Sequence, residues 1–345
     1  MMPHVLVVRL DNLGDVLLAG PAVRAVAASA REVTMLCGPR GRASAEILPG
    51  VDQIVAHRAA WIDPDPGQVA RGDIDALVDQ LAALEIDQAI VLTSFHQSAL
   101  PTALILRMAG VPVVVAESED YPGSLLDVRH HTSDELHEVE RALSLVETLG
   151  YQLPPDDDGR LAVTPVDPDA NPVRDLRPYV VVHPGASVPA RAWPAHRHAS
   201  LVEALVADGR RVVVTGAPGE APLTARVVGP GGDGAVDLTG AVDWKGLAAV
   251  LADADVLVAG NTGPAHLSAA VGTPVVSLFA PTVPAGWWRP WGVPHVLLGR
   301  QNIGCAGCRA RTCPVPGHPC IGDVEVPEVL AAVDAMAGVG LTAGR

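Results

Sequence analysis

Short apolar runs alternate with longer segments of helical pattern along most of the chain. Runs rich in β-branched residues predict buried strands over 4–10, 32–37, 87–93 and 111–117. Helical patterns lie between them, over 16–30 with a kink at Gly20-Pro21, 74–85 and 98–109. Because strands alternate with helices, the pattern predicts βαβ units and a parallel sheet in an α/β fold.

The same alternation restarts after a segment rich in Pro and Asp, residues 152–178, which is the predicted linker. Beyond it, the pattern predicts helices over 195–208 and 243–253 and strands over 179–186, 210–220, 235–240, 254–263 and 273–282. The expected organisation is an N-terminal domain (1–165), a second domain (175–324) and a C-terminal helix (325–345). The ligand site of two open α/β sheets is expected in the cleft between them.

Charge and composition exclude several classes of protein. The 345 residues carry a formal net charge of -15, so a general nucleic-acid binder is excluded. The first strand pattern begins almost at Met1 without a basic segment ahead of it, and no apolar run reaches the roughly 20 residues that span a bilayer. A cytoplasmic protein is expected, with peripheral contact at the inner membrane face as an open alternative.

Polar residues follow the first predicted strand in the turn Asn12-Leu13-Gly14-Asp15. Gly14 permits a sharp turn, and Asp15 falls near the start of the next helix. One interpretation is that Asp15 caps that helix. The other is that its carboxylate is a general base directed at the ligand.

Two turns of the second half combine small residues with a charged group. The loop "HPGASVPARAW" carries Ser187 and Arg191, which suit phosphate binding or belong to an ordinary βα loop. The loop "GAPGE" places Glu220 at a helix start, where a carboxylate either caps the helix or accepts hydrogen bonds from a ribose diol.

A third turn, "GNTGPAH", carries more polar groups than a turn requires. Asn261 and Thr262 can cap the helix that Gly263 and Pro264 begin, and the free amides there suit a diphosphate. His266 lies in the first helical turn and could add a hydrogen bond, but it is not predicted to be catalytic. The chain has no GxGxxG after its first strand and no GxxxxGK[ST], so neither dinucleotide signature is supported.

Five segments in this order resemble glycosyltransferase family 9, the heptosyltransferase family: "LGDVLLAGPAVRAV", "HPGASVPARAWP", "VTGAPGE", "DLTG" and "GNTGPAHLSAAVGTPVVSLFAPT". The resemblance covers nearly the whole chain. It implies a GT-B fold, in which two Rossmann-like domains face each other across a cleft and the last helix packs back on the N-terminal domain. It also implies an inverting transfer, without a metal or other cofactor, of a sugar from a nucleotide donor, typically ADP-heptose.

The resemblance assigns roles to individual positions. Asp15, beside Gly14, matches the catalytic base, and Arg191 stands where the family usually has Lys at the leaving group. The nucleotide-sugar contacts are assigned to Gly14, Ser187, Glu220, Leu238, Thr239, Gly240, Asn261, Thr262, Gly263 and His266. Asn261 replaces the Asp that is frequent in the family, which removes one negative charge beside a diphosphate.

The expected function is a monomeric transferase that acts on a hydroxyl of a glycan, glycolipid or small-molecule acceptor, as in lipopolysaccharide biosynthesis. Two alternatives stay open. A GT-B nucleotide-sugar epimerase or hydrolase would consume the donor without an acceptor. A nucleotide-sugar-binding protein would bind the donor without catalysis.

Cysteines and tryptophans cluster near the C-terminus. Cys305, Cys308, Cys313 and Cys320, with His318 nearby, are spaced as in some zinc sites. A reduced, locally packed loop or a labile disulfide is the alternative, and the cysteines are not assigned as metal ligands. The tryptophans of "PAGWWRPWG", namely Trp287, Trp288 and Trp291, either pack under a loop or stack on a sugar or base.

Overall fold

The structure is a computed structural model that describes residues 2–340. The chain forms two compact units, Met1–Thr164 and Pro165–Arg345. Each unit is an α/β domain built on one six-stranded parallel sheet. In the described part of the chain, no helix is both long and apolar enough to cross a membrane.

From residue 2 onwards, the first unit contains six strands and six α-helices. In chain order they are β1 (His4–Arg9), α1 (Leu13–Leu18), α2 (Gly20–Ala27), β2 (Glu32–Cys37), α3 (Arg42–Ala45), β3 (Gln53–Ala56), α4 (Arg71–Ala82), β4 (Gln88–Val91), α5 (Leu100–Met108), β5 (Val113–Glu117), β6 (Val128–His130) and α6 (Glu138–Glu147). The strand order in the sheet is β3-β2-β1-β4-β5-β6.

The centre of this sheet is β1, which pairs with β2 on one side and β4 on the other. All six of its residues are buried, as expected for a parallel strand covered on both faces. The strand order reverses between β1 and β4, so the loops that follow these two strands meet at the carboxyl edge. That edge is where open α/β sheets bind their ligands.

The described part of the second unit, up to residue 340, repeats this plan with six strands and seven α-helices. In chain order they are β7 (Tyr179–His183), α7 (Ala195–Ala207), β8 (Arg211–Val214), α8 (Ala221–Val228), β9 (Ala235–Asp237), α9 (Trp244–Ala252), β10 (Val256–Gly260), α10 (Gly263–Ala270), β11 (Val275–Leu278), α11 (Ala285–Trp288), β12 (His295–Leu298), α12 (Pro319–Gly322) and α13 (Val326–Gly340). The strand order is β12-β11-β10-β7-β8-β9, which reverses between β10 and β7.

The last helix, α13, packs on the second unit. It contacts α7 and strands β10, β11 and β12. Its buried side chains Val329 and Val333 belong to the same apolar cluster as Leu201 and Val276. These contacts place α13 on the second sheet, and the expectation that it also packs on the N-terminal domain stays a prediction. Residues 341–345 of the predicted segment lie outside the described residues.

Three strands were not predicted: β3, β6 and β12. Each lies at the edge of its sheet, has only three or four residues and is only partly buried. Such strands lack the continuous apolar run that marks a buried parallel strand, so their sequences carry little signal. The kink predicted at Gly20-Pro21 corresponds to the boundary between α1 and α2.

Candidate active site

Asp15 lies in the first turn of α1, directly beyond the carboxyl end of β1. Its Oδ2 accepts a hydrogen bond of 3.1 Å from the backbone N–H of Asn12, so the carboxylate does cap the helix. Its side chain is also 16% exposed, so the carboxylate is not fully enclosed by the fold. The Asp15 carboxylate can therefore cap the helix and also act as the general base that was the other interpretation.

Arg9, the last residue of β1, brings together carboxylates from three segments. Its Nε lies 2.9 Å from Asp11 Oδ2, and its Nη2 lies 3.4 Å from Asp15 Oδ1 and 3.1 Å from Glu138 Oε2. The same Nη2 donates a 2.8 Å hydrogen bond to Ser94 Oγ in the loop after β4. Arg9 is only 3% exposed, so these charges interact with little screening by water.

The pKa of Asp15 is raised to about 7. Burial is the largest cause, and the neighbouring carboxylates of Asp11 and Glu138 raise it further, whereas Arg9 and the Asn12 amide oppose the shift. The carboxyl group is therefore close to half-ionised at neutral pH. This is the proton affinity that suits a general base working near pH 7.

In the second unit, the loop after β7 carries Ser187 and Arg191. Ser187 is exposed, and Arg191 is half-buried. The Nε of Arg191 donates a 3.2 Å hydrogen bond to Oγ1 of Thr282, a buried residue in the loop after β11. The backbone oxygen of Arg191 also lies beside Gly260, where a Cβ would be 3.5 Å away. Loops that follow three neighbouring strands thus meet around Arg191.

Glu220 lies at the end of the loop after β8, immediately before α8. Its Oε2 accepts a 2.7 Å hydrogen bond from the backbone N–H of Ala217, so the carboxylate caps the 3₁₀ turn Pro218–Glu220 and makes no capping hydrogen bond to α8. Its Oε1 lies so close to Gly185 that a Cβ there would be 2.0 Å away. The glycine of the β7 loop therefore leaves the space that the Glu220 carboxylate occupies.

The loop after β9 carries Leu238, Thr239 and Gly240. Leu238 is buried, and Gly240 has a φ of 66°, a conformation that favours glycine. The backbone N–H of Thr239 donates a 2.9 Å hydrogen bond to Asp237 Oδ1. Its buried Oγ1 has no hydrogen-bond partner among the described residues, so this hydroxyl is available to a ligand.

The turn after β10 has the predicted strand–turn–helix geometry, with Thr262 as the N-cap residue of α10 and Gly263 as its first residue. Asn261 is 8% exposed and His266 is 4% exposed. Burial lowers the pKa of His266 to about 4, so the imidazole is neutral at pH 7. Its Nδ1 is buried and has no hydrogen-bond partner within the described residues.

The cysteine-rich segment borders the Arg191 loop. The N–H of Ala190 donates to the carbonyl of Arg311 at 3.0 Å, and His318 Nε2 lies 3.0 Å from the carbonyl oxygen of Ala190. Cys305 and Cys308 are exposed, Cys313 is partly exposed and Cys320 is buried. All five cysteines are free thiols, and residues 2–340 contain no cluster of three or more His, Cys, Asp or Glu side chains arranged to hold a metal ion.

A match between the chain and a family model decides which family the protein belongs to. The family model described as "Glycosyltransferase family 9 (heptosyltransferase)" matches residues 74–318. This chain belongs to glycosyltransferase family 9. The resemblance expected from the five segments is therefore confirmed. Asp15 precedes the matched residues, so its role does not follow from this match.

Two relatives support the same family 9 membership. Over 116 residues the chain is 33% identical to "Lipopolysaccharide heptosyltransferase 3" from Escherichia coli, a match that covers 33% of this chain and 34% of the relative. Over 240 residues it is 31% identical to "Lipopolysaccharide heptosyltransferase 1" from Pseudomonas aeruginosa, covering 66% of this chain and 64% of the relative. The matches thus span less than two thirds of either relative's length.

Among solved structures, this family 9 chain is similar to "E. coli heptosyltransferase WaaC with ADP-2-deoxy-2-fluoro heptose". The TM-score is 0.72 at 22% identity, and the match covers 96% of this chain and 99% of that chain. At this identity the likeness shows the fold. It confirms the predicted GT-B fold class.

Sequence reasoning missed Glu138 and Thr282, which the family 9 fold brings to the predicted residues Asp15 and Arg191. No local motif marks either one, since each is far along the chain from the residue that it accompanies. The sequence does carry a signal for Arg9, because this charged residue follows directly on the apolar residues Val5–Val8 of the strand. A buried charge requires a partner, and that requirement could have directed attention to the acidic residues of the adjoining turn.

Proposed function

We propose that the chain is an inverting glycosyltransferase that moves a heptose from ADP-heptose to a hydroxyl of a glycan, glycolipid or small-molecule acceptor without a metal ion. The family, and relatives named as lipopolysaccharide heptosyltransferases, support the reaction. A solved neighbour holding ADP-2-deoxy-2-fluoro heptose supports the donor. The observation that carries the proposal is the Asp15 carboxyl group, partly exposed beyond β1 with a pKa of about 7.

Asp15 is the general base in this proposal. Its carboxylate accepts the proton of the acceptor hydroxyl as the oxygen forms a bond to the anomeric carbon of the donor. The bond between that carbon and the diphosphate oxygen breaks, and the electron pair leaves with ADP. Attack from the face opposite the leaving group inverts the anomeric centre.

The second unit binds the donor and stabilises the leaving group. Arg191, held through its Nε by Thr282, faces the charge that develops on the diphosphate. The backbone amides at the N-terminus of α10, from Gly263 onwards, and the positive end of its dipole act on the same group. Ser187 and the neutral His266 add hydrogen bonds, and Asn261 brings no negative charge to the site.

The nucleoside part of the donor occupies the loops after β8 and β9. Glu220 accepts hydrogen bonds from the ribose diol through the oxygen that faces Gly185. The base lies against Leu238 and Gly240, and the buried Oγ1 of Thr239 supplies a hydrogen bond that no described residue takes up. An unsatisfied buried hydroxyl is costly in a folded protein unless a ligand or water satisfies it.

The test is the transfer rate of Asp15→Asn with ADP-heptose and a heptosyl acceptor, read together with ADP affinity. We expect the rate to fall by roughly 10²–10³-fold or more, the scale for removing a preorganised group that acts in the transition state. ADP affinity should stay unchanged. Near-normal transfer by Asp15→Asn would contradict the proposed mechanism.

Calorimetric titration with ADP, UDP, GDP and dTDP tests the donor independently. Selective ADP binding that weakens in Glu220→Gln supports an ADP-sugar, whereas selective binding of another nucleotide discards heptose as the donor. Turnover of donor in the absence of acceptor would favour the epimerase or hydrolase alternative. Donor binding without any turnover would favour a binding protein.

A further inference from the structure

Glu138 lies within the cluster of charges around Asp15, although it is the first residue of α6 and far from Asp15 in sequence. It is 3% exposed, and its Oε2 lies 3.1 Å from Nη2 of Arg9. Its other oxygen, Oε1, accepts a hydrogen bond from Nη1 of Arg141 one turn along the helix. Glu138 is therefore fixed between two guanidinium groups.

Arg141, the second partner of Glu138, is itself held in place. Arg141 binds Glu117, the last residue of β5, with its Nη2 2.6 Å from Oε2. Thr132 Oγ1 donates a 3.0 Å hydrogen bond to the other oxygen of Glu117. Because Glu117 holds Arg141 and Arg141 holds Glu138, Glu138 has little freedom to withdraw from Arg9.

We propose that Glu138 is a positioning residue that holds part of the Arg9 guanidinium to itself and thereby sets how strongly Asp15 holds its proton. The inference rests on the proposed role of Asp15 as the base. Arg9 has a single Nη2 group to share among Asp15, Glu138 and Ser94. Glu138 therefore competes with Asp15 for the same cation, while its own negative charge disfavours ionisation of Asp15.

The charges that face Asp15 come from several elements. Among the described residues, the cation close to Asp15 is Arg9 from β1, and the close anions are Asp11 from the following loop and Glu138 from α6. On α3, which packs against α1, Arg42 and Glu46 form an exposed ion pair with each other. The Arg141–Glu117 pair lies behind Glu138 and carries no net charge. Asp15, Asp11 and Glu138 therefore share the cation Arg9, and Arg141 pairs with Glu138 on the side away from Asp15's own contact with Arg9.

The first experiment is the pH profile of kcat/KM for Glu138→Gln, because Gln keeps an oxygen acceptor for Arg9 and removes the charge. We expect the acidic limb to move about one unit towards lower pH, since a like charge close to Asp15 is lost. Below pH 6 the variant should retain a larger fraction of its plateau kcat/KM than the wild type retains of its own. The plateau itself should fall, because a less basic carboxylate accepts a proton less readily.

Glu147→Gln is the matched control, since Glu147 is exposed at the other end of α6. It removes the same charge from the same helix and should leave the profile in place. A purely structural role for Glu138 would lower the rate at every pH without moving the limb, and that result would overturn the inference. If Glu138→Gln does not fold, Glu138→Asp is the second variant. Its shorter side chain keeps the charge but withdraws it from Arg9, so the acidic limb of its kcat/KM profile should move in the same direction by a smaller amount.

A titration of the Asp15 carboxyl carbon by NMR separates the two proposals. The full-length protein carries ¹³C-labelled Asp, and Asp15→Asn identifies the resonance. We expect Asp15 to titrate near pH 7 in the wild type and about one unit lower in Glu138→Gln. An unmoved titration, with Asp15→Asn inactive, rejects the role of Glu138 and keeps that of Asp15. Normal transfer by Asp15→Asn rejects the base itself, whatever Glu138 does.

Discussion

Gly185 and Glu220 are complementary in shape: the carboxylate of one fills the space that the other leaves by lacking a side chain. A Cβ on Gly185 would lie 2.0 Å from Oε1 and 2.5 Å from the carboxyl carbon of Glu220. The two residues lie in the loops that follow neighbouring strands of the second sheet, β7 and β8. A glycine in the loop after β7 therefore determines where the proposed ribose-binding carboxylate can lie.

Gly185→Ala should weaken ADP binding about tenfold or more, because the displaced carboxylate loses a charge-assisted hydrogen bond to the ribose. Isothermal calorimetry measures the change in Kd. Gly219→Ala is the matched control, since a Cβ there would meet nothing within 4 Å. Unchanged affinity in Gly185→Ala would show that Glu220 does not bind the ribose or that it moves without cost.

Thr282→Val should lower kcat up to about tenfold and change KM little, because it removes one net hydrogen bond that orients Arg191 rather than the charge itself. The bond in question joins Arg191 Nε to Thr282 Oγ1 at 3.2 Å. Steady-state kinetics with ADP-heptose measure the effect. Thr282→Ser keeps the hydroxyl and should retain most of the wild-type rate, and equal losses in both variants would contradict the orienting role.

Asp15→Asn should stabilise the protein at pH 8. The pKa of Asp15 is about 7 in the folded state, above the roughly 3.9 of an unfolded chain. The folded state therefore holds the proton more tightly, and the carboxyl group lowers the free energy of unfolding as the pH rises from about 4 through 7.

The measurement is the difference in melting temperature between Asp15→Asn and the wild type at several pH values. The difference should favour the variant at pH 8 and shrink towards pH 4, where both side chains are neutral in both states. Asn retains an oxygen that can accept from the Asn12 amide, so the helix cap is kept. A variant that is less stable at pH 8 would contradict a raised pKa.

Thiol labelling should separate the cysteines into two kinetic classes. Cys305 and Cys308 are exposed and should react rapidly with a disulfide reagent, whereas Cys37 is buried and burial raises the pKa of its thiol to about 11. Elemental analysis should find less than about half an equivalent of zinc. A full equivalent of zinc, together with protection of Cys305 and Cys308 from labelling, would restore the metal-site hypothesis.

Several features of the site could be predicted because they depend on residues close together in sequence. The turn with Asp15 follows a predicted strand of the first sheet, and the turns with Arg191, Glu220 and Thr262 follow predicted strands of the second. Each parallel sheet gathers its own turns of this kind at its carboxyl edge. The hydrophobic pattern of β1 and β10 is continuous because both faces of each strand are covered, so the pattern itself reports burial. The family resemblance added the identity of the donor as an expectation.

The amino-acid sequence by itself determined the succession of strands and helices and the polar residues at the end of each strand, since hydrophobic periodicity and turn chemistry are local. Only the tertiary structure decided that Glu138 lies beside Arg9, that Thr282 holds Arg191, and that α13 covers the second sheet. These are contacts between distant segments, which packing selects from many possible pairings. The proton affinity of Asp15 is of the same kind, because burial and neighbouring charge exist only once the chain has folded.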